Sequence, residues 1–273
     1  MIWGDKMNEI TKIEVQKNNK ERFNIYIDQV FAMGISMDTL VAFNLKKGDI
    51  VDKKQIDAIN QEEYDRQAIN QAMQYLSYRK RTRKEIKLHL LKQDFPEAVI
   101  ARAIDYCEHL QLIDHRDYMI SLKNTLLRTT DKGPEIFRQK LLEAGIETDL
   151  IDEGVQLYEE EQPIDAIVAL AEKIMKQKKG PVSKVKLKIQ QSLQQKGYRL
   201  DTIYKVMDQL EIEQDSEMID KLLQRDLEKV YNKNQKKYSG QHLYMKTVEG
   251  LLRKGYQYDE IRQKLSESGI ENE

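Results

Sequence analysis

The sequence predicts a mainly α protein: an elongated tandem array of three-helix repeats behind a small β-rich N-terminal appendage. Three observations carry this. A short pattern recurs four times, as Asp94-Phe95, Gly145-Ile146, Gly197-Tyr198 and Gly255-Tyr256, with its apolar anchors 51, 52 and 58 positions apart. Repeats with a period near 50 signal stacked like units. Charged residues make up 33% of the chain while it holds only 12 Gly and 4 Pro, a profile suited to long helices. The first 60 residues have a different period, alternating apolar with polar.

In that appendage, Ile13 and Val15 alternate with polar residues, as do Phe23, Ile25 and Ile27, which predicts two strands about a turn at Asn18-Asn19-Lys20. A tight turn at Asp28-Gln29 leads to a third strand over Val30–Met33. Ser36 is placed to cap a short helix through Asn44, and Lys47-Gly48-Asp49 closes the segment. Residues Met1–Lys6 read as detached from the rest of the chain, Trp3 as outside the core, and Met7 as an alternative start.

Each repeat is read outward from its anchor. Nine residues before stand Ile86, Phe137, Ile189 and Thr247; five before, Leu90, Leu141, Leu193 and Leu251. Five after stand Ile100, Ile151, Ile203 and Ile261; nine after, Ile104, Val155, Met207 and Leu265. Steps of four on each side of a break mark two amphipathic helices. The break residue fits the position just past a helix end, where φ is positive and Gly is favoured; Asp94 is a poorer substitute. Thr82 with Glu85 reads as a capping box, Pro96 as the first turn of the next helix, and Gly133-Pro134 and Gly180-Pro181 as entries to middle helices. A third helix lies upstream in each repeat, over Ala68–Arg79, Asp117–Leu127, Ile164–Gln177 and Met218–Tyr231. The expected divisions are 1–60 for the appendage, then 61–116, 117–163, 164–217 and 218–273 for the repeats. The fourth, with Thr247 at a core position, is the least regular.

Formal net charge is −1, but the signs are segregated. Arg79, Lys80, Arg81, Arg83, Lys84, Lys87 and Lys92 crowd one helix boundary with Glu85 as the single acid. Nine acids and no base run from Glu143 to Asp165, then nine bases and no acid from Lys173 to Arg199. Blocks of one sign make fields that a mixed surface cancels. The basic loops recur at equivalent places in the repeats, so they suit a polymer of phosphates or a protein filament built around one. The candidate contact residues are Arg79, Lys80, Arg81, Arg83, Lys84, Lys87, Lys178, Lys179, Lys184 and Lys186. A solvated helix face is the competing reading of these runs. The acidic block suits either a basic partner or plain solubility. Tyr75, Tyr78, Tyr198, Tyr204 and Tyr256 accompany the basic stretches and read first as core packing, with base stacking as the alternative.

Enzyme chemistry finds little footing. There is no glycine-rich phosphate loop and no dinucleotide fingerprint. His89, His109, His115 and His242 lack metal-ligand spacing, so neither metal nor cofactor is expected. Single Cys107 reads as a buried thiol and excludes an internal disulfide. No apolar run approaches the roughly 18 residues of a membrane span. A cytoplasmic, monomeric protein without membrane contact is expected.

The stretch Tyr75-Leu76-Ser77-Tyr78-Arg79-Lys80-Arg81-Thr82-Arg83-Lys84-Glu85-Ile86, with Leu90, Phe95 and Leu110-Gln111-Leu112-Ile113-Asp114-His115-Arg116-Asp117-Tyr118, closely resembles the RecX family. So does Thr129–Pro134, together with Lys140-Leu141-Leu142-Glu143-Ala144-Gly145-Ile146. The resemblance covers about residues 60 to 220, and the flanking regions look like the long Gram-positive form. Gln111-Leu112 stands in place of the usual Gly before Ile113-Asp114, and His115 replaces the second acid of that motif, which puts any role of that acid in doubt. The resemblance implies a non-enzymatic modulator of the RecA recombinase, acting in the regulation of recombination, DNA repair and the SOS response. It implies binding in the groove of the RecA filament on single-stranded DNA, limiting filament extension, ATPase and strand exchange. Direct DNA binding through the basic loops is the alternative.

Overall fold

The computed structural model describes residues 7–178, 180–212 and 216–270. Expectations for Met1–Lys6, Trp3 among them, and for Lys179 fall outside the described residues. The chain forms two compact units, one holding residues up to Tyr118 with Ala144–Ile146, the other Met119–Glu143 and the residues from Glu147 on.

The first unit opens with β1 (Asn8–Gln16), β2 (Asn19–Ile27) and β3 (Val30–Ser36). With β4 (Ile50–Val51) they form an antiparallel sheet in the order β3-β2-β1-β4. Alternation on β2 buries Phe23, Ile25 and Ile27 on one face, joined by Ile10, Met33 and Ile35. Val15, expected to alternate inward, stands 49% exposed. Asp28 and Gln29 form the tight turn, both at positive φ (49° and 70°), which pairs Ile27 with Val30. The first turn falls one residue earlier than expected, leaving Asn19 on β2. Helix α1 (Met37–Ala42) is capped by the Ser36 hydroxyl, which accepts from the Thr39 N–H.

The sequence misplaces the start of α2. It runs Lys53–Tyr78 rather than from Ala68, and a complete Asp52/Gln55 capping box opens it. Its first turns seal the sheet with Ile56 and Ile59. Buried Glu63 then ties helix to sheet: it accepts from the Ser36 N–H (2.8 Å), the Thr39 hydroxyl (2.9 Å) and the Gln67 amide (2.9 Å), and pairs with Arg22 (2.9 Å). A buried charge is tolerated only with such a full set of donors.

Helices then fall into triplets. The rest of α2 packs with α3 (Arg83–Leu91) and α4 (Glu97–His109) around Ala68, Ala72, Ile86, Leu90, Ile100 and Cys107. Next come α5 (His115–Thr129), α6 (Pro134–Ala144) and α7 (Thr148–Glu161), where Phe137 stacks on Tyr158 with centroids 5.0 Å apart. The third triplet is α8 (Ile164–Lys176), α9 (Val182–Gln195) and α10 (Leu200–Gln209), and the last α11 (Ser216–Asn234), α12 (Gly240–Arg253) and α13 (Tyr258–Glu267). The fourth triplet is complete, with Leu223, Leu227, Leu251 and Ile261 in its core. Thr247 is fully buried there because its hydroxyl donates to the Leu243 carbonyl (2.8 Å), so no polar atom is left unpaired.

The recurring pattern is a helix-ending device. Asp94, Gly145, Gly197 and Gly255 all take positive φ, 60°, 76°, 88° and 94°. The anchor N–H then reaches back to the leucine five residues before it: Phe95 to Leu90 (3.3 Å), Tyr198 to Leu193 (3.2 Å), Tyr256 to Leu251 (3.4 Å). This is a Schellman end, whose usual apolar contact joins those same two residues. All four leucines are fully buried, so one local motif both stops the middle helix and fills the core.

Candidate functional site

In the second unit the middle helices meet head to tail, and one contact of the same kind lies within the first unit. The Thr82 hydroxyl donates to the Ala144 carbonyl (2.6 Å). At the next such joint the Gly133 N–H donates to Lys196 O (2.7 Å) and the Glu135 N–H to Gly197 O (3.0 Å). At the third the Ser183 hydroxyl donates to Gly255 O (2.7 Å). Each pairs a helix N-terminus with carbonyls at the end of the following repeat's middle helix, satisfying groups that a lone helix leaves open. Opposite dipole ends also meet. Of the basic residues singled out in the sequence, Arg83 and Lys84 follow Thr82 at the first joint and Lys184 lies against Gly255 at the third.

Around the first joint Arg79 pairs with the local acid Glu85 (2.6 Å), and the fold supplies further acids: Lys80 pairs with Asp117 (2.5 Å), Lys87 with Glu97 (3.3 Å), and Arg83 with Glu108 (2.7 Å). Those four cations keep about half their side-chain surface exposed, so the pairs are weak and open to exchange with another anion. Arg81 differs. It lies 3.8 Å over the Tyr75 ring, which stacks on His89 at 4.0 Å, and its side chain is only 12% exposed. Burial, then the charges of Arg81 and Lys92, hold His89 below the usual imidazole range, so its ring is neutral at pH 7. Arg81 is therefore committed to a guanidinium–aromatic stack. The Lys84 stem packs beneath Gly145. His115 accepts the Arg83 N–H through Nε2 (3.2 Å), so the residue that departs from the motif still serves as an acceptor at the α3 N-terminus.

The second cluster does not converge as one patch. Lys184 lies against Gly255 at the third joint, with Lys186 on the same helix. Lys178 instead lines a groove of about 510 Å³ with Lys132, Lys173 and Lys196, beside Asp131. Lys132 belongs to no run of charge in the sequence and enters there only within the Thr129–Pro134 stretch that resembles the family.

Other expectations resolve individually. Tyr198 and Tyr256 are buried, but Tyr78 and Tyr204 stand 74% and 57% exposed. Cys107 is buried, and burial, then Glu108, pushes its thiol up. The acidic segment is partly paired, Asp152 with Arg138 (2.7 Å) and Glu159 with Arg199 (3.5 Å). Among the described residues no cluster of three His, Cys, Asp or Glu could hold a metal, and no helix is long and apolar enough to cross a membrane.

Comparison with known proteins decides the family. Residues 8–52 match the regulatory protein RecX N-terminal domain, 68–107 the first RecX three-helix domain, and both 160–207 and 219–265 the third. A regulatory protein RecX of Staphylococcus haemolyticus is 55% identical over 98% of this chain and 100% of its own. The chain belongs to the RecX family. A RecX of Staphylococcus saprophyticus is 57% identical over 97% of both chains. A crystal structure of a regulatory protein RecX aligns with TM-score 0.63 at 33% identity, covering 74% of this chain and 100% of that one. That of RecX from Lactobacillus salivarius aligns at 0.51 and 31%, covering 55% and 97%. These relatives carry the names of regulators, not of enzymes.

Proposed function

We propose that the chain modulates the RecA recombinase, mainly as an inhibitor. It binds in the groove of the RecA filament on single-stranded DNA and limits filament extension, ATPase and strand exchange. The observation that carries this reading is likeness to RecX regulatory proteins across essentially the whole chain. The site agrees with it in two ways. Joints of one design recur along the chain, each with basic side chains beside it, so several weak contacts can engage a target that itself repeats. Linked contacts gain effective concentration from one another. The exposed ion pairs at the first joint exchange readily, so a phosphate or a carboxylate can displace a partner at small cost. A cytoplasmic monomer fits this role, and the repeats bounded near 61, 117, 164 and 218 serve as its contact modules.

The deciding assay titrates the protein into RecA with single-stranded DNA and follows ATP hydrolysis. A dose-dependent fall is expected, and no change at any ratio up to excess refutes the proposal. The combined variant R79A/K80A/R83A/K84A leaves the Arg81 stack intact and should weaken inhibition without unfolding the chain. Unchanged inhibition would make that patch a solvated face.

A second reading is favoured by the four-lysine groove: direct nucleic-acid binding without RecA. Tight, steeply salt-dependent binding to labelled single-stranded DNA alone would support it.

A further inference from the structure

We propose that the groove at the joint between the second and third repeats is a phosphodiester-binding site. It takes the backbone of single-stranded DNA, independent of sequence, through Lys132, Lys173 and Lys178. This rests on the proposed function and names the contact through which a filament binder would touch DNA.

Three observations carry it. First, the charge is concentrated. Among the described residues four lysines and one acid line the groove, and that acid, Asp131, is bonded to Lys196 and also feels the charge of Lys132. Among the described residues Lys132, Lys173 and Lys178 have no carboxylate within ion-pair distance, unlike the cations of the first joint. Three ammonium groups around one concavity repel each other, a cost that an anion would reverse.

Second, the walls are fixed. The Lys132 carbonyl accepts from the Tyr158 hydroxyl (2.8 Å) and the Gln162 amide (3.3 Å). The Tyr198 hydroxyl donates to Asp131 O (3.2 Å), and the next residue, Gly133, bonds across the joint to Lys196 O (2.7 Å). Lys132 therefore leaves a loop held at its backbone on both sides. Lys173 stands on the last turn of α8 and Lys178 lies just beyond that helix. A ligand meeting this groove has little backbone to order, which favours binding.

Third, the lining fits phosphate better than the alternatives. Its volume, about 510 Å³, lies within the range of roughly 300–1,000 Å³ seen for ligand sites. Lysine point charges with the Gln177 and Gln195 amides are the side-chain types that contact backbone phosphates. Among the described residues no arginine fork lines it for bidentate grip of a protein carboxylate, and no aromatic ring for stacking a base. The contact is therefore independent of base sequence.

The test uses the full chain. Anisotropy of a fluorescein-labelled oligothymidylate is measured against NaCl for the wild type, K132Q/K173Q/K178Q and K132R/K173R/K178R. Lys196 is left alone because it holds Asp131. Each phosphate contact on a single strand contributes about 0.7 to the slope of log K against log salt, so the Gln variant should lose roughly 2 from that slope. The Arg variant should keep it. A Gln variant with the wild-type slope overturns the proposal, as does a wild type that fails to bind the oligonucleotide at low salt. Polyglutamate binding as strong as that of DNA, and lost in the same variant, would also overturn it by making the groove a site for acidic protein. The RecA ATPase assay separates the two proposals. A Gln variant that loses DNA binding but still inhibits RecA upholds both the groove and the filament role. A wild type that binds DNA through these lysines without affecting RecA leaves the groove standing and removes the filament role.

Discussion

The joint between the second and third repeats makes a quantitative prediction through Gly197. Its φ is +88°, and a Cβ built there would lie 2.7 Å from Ile136 Cγ1 and 2.8 Å from the Ile136 backbone nitrogen. Gly197→Ala therefore carries two costs. The left-handed backbone costs an L-residue about 1–2 kcal/mol. Forcing an atom against a backbone nitrogen adds about 1–3 kcal/mol of overpacking, since that nitrogen cannot rotate away as a side-chain tip can. Gly240 separates the two, for it also has positive φ (+50°) but nothing within 4 Å of its Cβ position. Gly240→Ala carries the backbone cost alone, and the gain from a stiffer unfolded chain, about 0.4–1 kcal/mol, cancels between the two variants. The excess for Gly197→Ala is thus about 1–3 kcal/mol. With a urea m-value of about 2 kcal/mol/M, its midpoint should fall roughly 0.5–1.5 M further than that of Gly240→Ala. Urea melts read by far-UV circular dichroism measure this. Amide exchange at Glu135, whose N–H bonds Gly197 O at 3.0 Å, reports the joint locally and should accelerate. Equal midpoints and unchanged Glu135 exchange would mean that the joint yields freely and that the helix-end glycine serves only local geometry.

Three further outcomes are expected. Arg81→Ala should cost about 0.5–2 kcal/mol through loss of the Tyr75 stack, with Arg81→Lys intermediate, as read by thermal melting. Glu63 sets an acid limit for the first unit. Burial alone would raise its pKa, but the bonds from Gln67, Ser36 and Thr39 and the Arg22 charge outweigh it and hold the carboxyl below its ordinary value. Its contribution is full above the unfolded value of about 4.3 and is lost as pH falls through the lower folded value. Glu63→Gln should therefore flatten stability against pH below about 4.3 while costing about 1–3 kcal/mol at neutral pH. Tyr158 and Tyr198 set an alkaline limit. Burial chiefly, aided by Tyr198 in the case of Tyr158 and by Asp131 in the case of Tyr198, pushes both up to about 12. Their stabilisation is complete below about pH 10 and lost as pH rises toward 12. In an absorbance titration both should stay protonated at pH 11, and Tyr198→Phe should remove one late-titrating group.

Core positions were legible in the sequence because one motif repeats with its own punctuation. Leu90, Leu141, Leu193 and Leu251 stand five residues before their anchors, and all four prove fully buried. The start of α2 was not legible. Ile56 and Ile59 face a sheet rather than a helical partner, and the intervening run of Asp57, Asn60, Gln61, Glu62 and Glu63 reads as a solvent face. Buried Glu63 is invisible without its donors, which come from 27 and 24 residues away at Ser36 and Thr39. Strand β4 has only two residues, too short for alternation to register. The cations of the first joint were legible as cations, but their partners were not. Glu108 and Asp117 arrive from other helices, and Arg81 is withdrawn into a stack that spacing cannot reveal. Lys132, isolated beside Asp131, gives no run of charge, and only the fold sets it facing Lys173 and Lys178.

The joints also bear on how an array of this kind can hold an anion. A helix N-terminus ordinarily offers open N–H groups to phosphate. Here those groups are engaged. At α6 the Gly133 and Glu135 N–H groups are bonded to Lys196 and Gly197 carbonyls. At α3 the Glu85 N–H is taken by the Thr82 side chain and the Arg83 N–H by His115. At these two ends the head-to-tail design thus consumes anion-binding capacity to connect the repeats. Beside them a hold on phosphate falls to side chains, and lysines on flexible stems give contacts that are individually weak, geometrically tolerant and salt-dependent. Those properties suit a protein that tracks a polymer without reading its sequence.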